Sequence, residues 1–226
     1  QTDNKGELGL DVKWGVRPNL TLDVTANTDF AQVEADEEQV NLTRFNLLFP
    51  EKRDFFLEGR GLFDFARSGA VTSSTTLTPT LFYSRRIGLN GARVVPIDVG
   101  GRLTGKAGPF SVGALNIETR ADDASNTARS NFSVVRLKRD ILRRSTVGAI
   151  LTHRSVSTLV PGAANTVYGA DAAFSFFQNI NTGGYYARSV TDGVTRDTDS
   201  YQGRFDFTGD RYGVLLQHLK VGDNFS

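Results

Sequence analysis

The sequence contains no cysteine, which removes disulfides, thiolate catalysis and cysteine-ligated metals and is compatible with an envelope location. It has no excess of either charge: 26 basic and 25 acidic side chains leave a formal net charge of +1. Nothing therefore marks a nucleic acid as a partner. No run approaches the roughly 18 apolar residues needed for a membrane-crossing helix, so any crossing must use strands. The chain also lacks an initiator methionine and a signal-like apolar stretch, which predicts a processed product or a piece truncated at both ends. Its 226 residues permit a sizeable core, and we expect one domain across 1–226.

What is present is period-two alternation. In GELGLDVKWGV, the residues Leu8, Leu10, Val12, Trp14 and Val16 share one parity, and Glu7, Asp11 and Lys13 share the other. After a turn signal at Arg17-Pro18-Asn19, Leu20, Leu22, Val24 and Ala26 alternate with Thr21, Asp23, Thr25 and Asn27. This predicts an antiparallel hairpin. Further strands are predicted near 97–107, 109–119, 131–140, 144–154, 166–178, 181–190, 200–209 and 212–221, joined by short connections rich in Gly, Pro, Asn or Asp. The alternation slips at Ala114-Leu115 and Val134-Val135, which reads as bulges or misplaced boundaries.

Strands of about ten residues exceed the usual five or six and match the roughly nine to eleven that cross a bilayer at a tilt. The 23 glycines suit a barrel lumen better than a packed sandwich. Trp14, Tyr185, Tyr186, Tyr201 and Tyr212 lie towards predicted strand ends, where interfacial girdles sit. The expected fold is all-β: an antiparallel up-and-down transmembrane β-barrel, complete or partial. Alternation alone does not say which face meets lipid.

Near residues 31–66 the pattern breaks into a predicted non-strand insert. Glu34, Asp36, Glu37 and Glu38 precede a run in which Phe49, Pro50, Glu51, Lys52, Arg53, Phe55, Phe56, Leu57, Glu58 and Gly59 mix charge with aromatic bulk. Charges this dense are costly against lipid, so the segment belongs in a wet lumen or the periplasm. Ion pairs within it and an apolar Phe cluster would make it a folded insert; a solvated loop is the plainer alternative.

The stretches NLTLDVTANTDFAQVEADEEQVNLTRFNLLFPEKRDFFLEG and LFYSRRIGL resemble the opening of an uncharacterised bacterial domain that usually follows a family-9-like carbohydrate-binding module in envelope proteins. The resemblance is dense from Gly9 to about Gly88; beyond that it holds only as barrel-like strands. It implies a bacterial outer-membrane β-barrel of unestablished function, with outer-membrane lipid and glycans as partners and the sugar-binding module N-terminal in the full-length protein. A hydrolase label would derive from that module, and the resemblance supplies no catalytic residues.

The residues themselves offer little chemistry. Carboxylates Asp29, Glu34, Asp36, Glu37, Glu38, Glu51 and Glu58 could supply a glycosidase pair only if two of them span a sugar. Asp29, Glu34, Asp36 and Glu38 could hold calcium, although EF-hand spacing is absent, and no other cofactor is predicted. His153 and His218 stand on separate strands, and no nucleophile elbow or phosphate loop occurs. On the polar strand face, Asp11, Lys13, Asp23, Arg102, Lys106, Arg188, Arg204 and Asp206 are candidate lumen residues that would set solute selectivity. The expectation is a barrel for solute or polymer passage or glycan capture, not an enzyme. The alternatives are a soluble periplasmic all-β binding module and, behind it, a carboxylate-based glycosidase.

Overall fold

The computed structural model describes residues 9–27, 50–66, 79–90, 93–122 and 127–226. In chain order these form β1 (Leu10–Arg17), β2 (Leu20–Ala26), the one-turn helix α1 (Asp54–Leu57), 3-10 turns at Arg60–Leu62 and Ser84–Arg86, and the short pair β3 (Leu89–Asn90) and β4 (Arg93–Val94). Eight longer strands follow: β5 (Ile97–Ala107), β6 (Phe110–Thr119), β7 (Ser130–Ile141), β8 (Ser145–Arg154), β9 (Asn165–Phe176), β10 (Ile180–Thr191), β11 (Asp199–Thr208) and β12 (Gly213–Val221). Ten of the strands make one antiparallel up-and-down sheet in the order β1-β2-β5-β6-β7-β8-β9-β10-β11-β12. The sheet is open. The closure expected of a barrel is not seen, because β1 and β12 are its two edges and do not pair with each other. No helix among the described residues is long and apolar enough to cross a membrane.

The ladder divides the residues into two faces. One registered row runs Trp14, Leu22, Leu103, Ala114, Val135, Leu151 and Tyr168 before ending at Arg188 opposite Asp199. These side chains form the outer face, and many are exposed: Trp14 is 63% and Val135 48% accessible. The charged outward residues Glu118, Arg139, Arg188, Asp199 and Lys220 stand near strand ends. The outer apolar band runs obliquely to the registered rows. The row through Val12 reaches Val190 of β10 by way of polar Asn116, Ser133, His153 and Thr166. The row through apolar Leu216 of β12 crosses β10 at Thr182, eight residues from Val190.

The inner face carries the core. Leu115, Ile117, Val134, Ile150, Val167, Tyr185 and Ala187 from the sheet cluster with Phe56, Phe63, Phe65 and Ile87 from the segments between β2 and β5. This explains the slips in alternation, and they are not bulges. Ala114 and Val135 face each other on the outer side, while Leu115 and Val134 point inward beneath the Phe residues, with unbroken pairing. The actual register shifts fall between Gly15 and Arg17 and between Ile97 and Val99. Tyr185 is also corrected: it is buried on the inner face instead of standing in an interfacial girdle, and outward Tyr186 lies in mid-strand.

The two ends of the sheet differ. Short turns at Pro18-Asn19, Gly108-Pro109, 142–144, 177–179 and 209–212 close one end, and connections 120–129, 155–164 and 192–198 span the other. The segment between β2 and β5 also leaves from this second end.

Candidate functional site

The described insert begins with a carboxylate that organises its own neighbours. Glu51 Oε1 accepts from the Lys52 and Arg53 backbone N–H groups, each at 3.1 Å, and from Arg53 Nε at 2.9 Å. Its Oε2 accepts from Arg53 Nη2 at 2.9 Å and from the Ser84 hydroxyl at 2.7 Å. Arg53 then donates to the carbonyls of Ile87 at 2.6 Å and Ser84 at 2.9 Å. Arg85 returns the exchange by donating to the Pro50 carbonyl at 2.7 Å. The guanidinium of Arg53 also lies 4.2 Å over the Phe56 ring. Two distant stretches of sequence, 50–59 and 81–88, thus form one clipped unit. Burial alone would raise the Glu51 pKa, but the hydrogen bonds and charge supplied by Arg53, with the Ser84 hydroxyl, hold it at about 2.

Asp54 opens the single helical turn with a charge that suits its N-terminal dipole. Gly59 then takes a left-handed conformation (φ 65°) that starts the 3-10 turn Arg60–Leu62. A Cβ there would also stand 3.2 Å from Thr104 of β5. Backbone freedom and close approach to the wall both require glycine.

Two arginines of the inner wall hold the insert. Arg102 Nη2 pairs with Asp23 Oδ2 at 2.6 Å, and its Nη1 donates to the Glu58 carbonyl at 2.5 Å. The Glu58 carboxylate accepts from Lys13 Nζ at 2.7 and 2.5 Å and from Arg102 Nη2 at 3.2 Å. The hydrogen bond from Lys13, with help from Arg102, holds Glu58 below the usual carboxylate range. At the far end of the insert, Arg136 forks onto Asp171 at 2.6 and 2.8 Å, and the Ala66 N–H reaches the same carboxylate at 3.1 Å.

Between these clamps, wall glycines seat insert rings. A Cβ on Gly113 would lie 3.0 Å from Phe63, and one on Gly169 2.8 Å from Phe65. Phe65 also meets Tyr185 edge-on at 5.4 Å, and the Arg136 guanidinium lies 5.4 Å over the Phe65 ring. Burying each such ring contributes about 2 kcal/mol. The site is therefore a polar wall carrying a docked aromatic insert.

Of the residues singled out in the sequence, Asp11, Lys13, Asp23, Arg102, Lys106, Arg204 and Asp206 share the inner face. Among the described residues, Lys13, Asp23 and Arg102 meet at Glu58 of the insert; Arg204 and Asp206 pair with one another at 2.9 Å. Arg188 does not belong with them. The register turns it outward, opposite Tyr168 and Asp199. Asp29, Glu34, Asp36, Glu37, Glu38 and Phe49 lie outside the described residues, among which no metal-binding cluster occurs. His153 bonds Thr166 at 2.9 Å and His218 rests beside Tyr201, so the two remain apart.

Sequence reasoning passed over Arg136, Asp171, Ser84 and Arg85. For the first two the available signal was their inward parity, shared with Val134 on β7 and Val167 on β9.

Residues 1–99 are similar to the family described as Domain of unknown function (DUF5916). No curated protein and no solved structure matches the chain.

Proposed function

We propose that this chain forms wall of a bacterial outer-membrane β-barrel, whose polar inner face serves passage or capture of glycans or other solutes and whose docked insert narrows the opening. The observation that carries this reading is the oblique apolar band on the outer face. The band moves eight residues along the strands over the nine steps from β1 to β12. At roughly 3.3 Å per residue and 4.8 Å per strand, that is a slope of about 30°. Strands in membrane barrels tilt by roughly 35–45°, so a band level with a bilayer would cross them at nearly this slope. A soluble sheet has no reason to keep such a band exposed.

Two further features support the reading. Short turns at one end and longer connections at the other match the periplasmic and extracellular ends of such barrels. The insert would then enter from the extracellular end and lie within the lumen. The open edges β1 and β12 would pair with further strands, since exposed edges invite association.

The test is expression behind a signal peptide, followed by membrane fractionation and electrophoresis of cold and boiled samples. Recovery in the outer membrane with a heat-dependent mobility shift is the expected result. Monodisperse protein in detergent-free buffer would overturn it in favour of a soluble all-β module.

A further inference from the structure

Four arginines point inward from the wall: Arg102, Arg136, Arg154 and Arg204. Three have a carboxylate, in Asp23, Asp171 and Asp206 respectively. Arg154 has none among the described residues. It ends β8 between Phe132 and Asn165, and its guanidinium lies 5.4 Å over the Phe132 ring. Its Nε is buried with no hydrogen-bond partner. The positive charge of Arg86, exposed on the Ser84–Arg86 turn of the insert, also acts on it unfavourably.

A buried donor without an acceptor is unfavourable, and a second positive charge acting on it adds repulsion. An oxyanion relieves both at once, because planar guanidinium forks match the oxygen spacing of carboxylate, phosphate and sulfate. Asn165, next to Arg154 on the ladder, bonds the hydroxyls of Ser189 and Thr191 at 3.0 and 2.9 Å. This part of the inner face is thus polar and built for hydrogen bonding.

We propose that Arg154 is the centre of an oxyanion-binding site on the inner face of the wall, with the charge of Arg86 assisting, taking the carboxylate, phosphate or sulfate group of a solute. The site depends on the inner-face geometry and not on lipid contact, so it stands or falls separately from the membrane reading.

Titration calorimetry of the intact chain with inorganic phosphate, with galacturonate and with neutral galactose tests it. Saturable binding of at least one anion is expected, with galactose silent. Arg154→Gln should weaken that binding at least tenfold and Arg86→Gln severalfold, while Arg144→Gln, on a distant turn, leaves it unchanged. Preference for galacturonate would identify a solute-borne carboxylate as the ligand, and preference for phosphate an inorganic or phosphorylated one. Absence of anion binding overturns the proposal. So does unchanged affinity in Arg86→Gln, whose exposed position keeps the fold intact even where Arg154→Gln fails to fold.

Discussion

Arg136 Nη1 and Nη2 donate to the two carboxylate oxygens of Asp171 at 2.6 and 2.8 Å, across the β8 strand that separates them. Gly148 makes the crossing possible, since a Cβ there would stand 2.7 Å from Arg136 Nη1. The Arg136 side chain is 1% accessible and that of Asp171 15%. Removing one partner therefore leaves an uncompensated buried charge. Asp171→Ala should lower stability by about 3–5 kcal/mol and free the Ala66 end of the insert. Arg136→Met with Asp171→Leu should recover much of the loss. Denaturant midpoints of the single and double variants check this, and equal losses in both would refute it.

Gly113 offers a cleaner test of docking, because the three atoms nearest a Cβ there belong to the Phe63 ring, at 3.0 to 3.4 Å. Gly113→Ala should cost about 1–3 kcal/mol by overpacking and expose the insert to trypsin at Arg53 and Arg60. Phe63→Leu in the same chain should restore protection. Gly101→Ala, where nothing lies within 4 Å, serves as the tolerated control.

The Glu51 clip predicts an acid-dependent loss of stability. Its folded pKa of about 2 lies below the ordinary 4.5, so ionised Glu51 stabilises the fold above its unfolded pKa. That contribution is lost as pH falls from about 4.5 through about 2. Glu51→Gln should be less stable than the parent at neutral pH, and the gap should close across this window. Thermal melts of both proteins over the range decide it; a gap that stays constant would show that Glu51 is not the titrating group.

Facing can be tested on the outer row. Leu22 lies opposite Trp14 and Leu103, and Val135 lies opposite Ala114 and Leu151. If this row meets lipid, arginine at either position should cost about 2–4 kcal/mol near the midplane and reduce the heat-modifiable band. Normal assembly of both Leu22→Arg and Val135→Arg would count against the assignment.

Most strands were legible because period two is a local property of the chain. Eight of them, from Ile97 to Val221, begin and end within two residues of where alternation predicts. The exceptions are instructive. Alternation breaks at Leu115 and Val134 because the inner face is locally apolar too, buried under Phe63 and its neighbours. A rule that expects one polar face then reports an irregularity that does not exist. Tyr185 and Tyr186 are neighbours on β10 and face opposite sides, and the packing of Phe65 against Tyr185 shows which of them is inside.

The insert was legible as something other than strand, since its charges and aromatic residues obey neither period. Its partners were not. Glu51 meets Ser84, Glu58 meets Lys13 and Ala66 meets Asp171, at sequence separations of 33, 45 and 105 residues.

What the sequence by itself determined is the antiparallel up-and-down sheet and the segment that interrupts it, because side-chain alternation and turn residues act over a few positions. Only the tertiary structure decided which charges meet and which face the insert covers. Register, and the path of the insert across the wall, bring those groups together, and neither is encoded in any short stretch of chain.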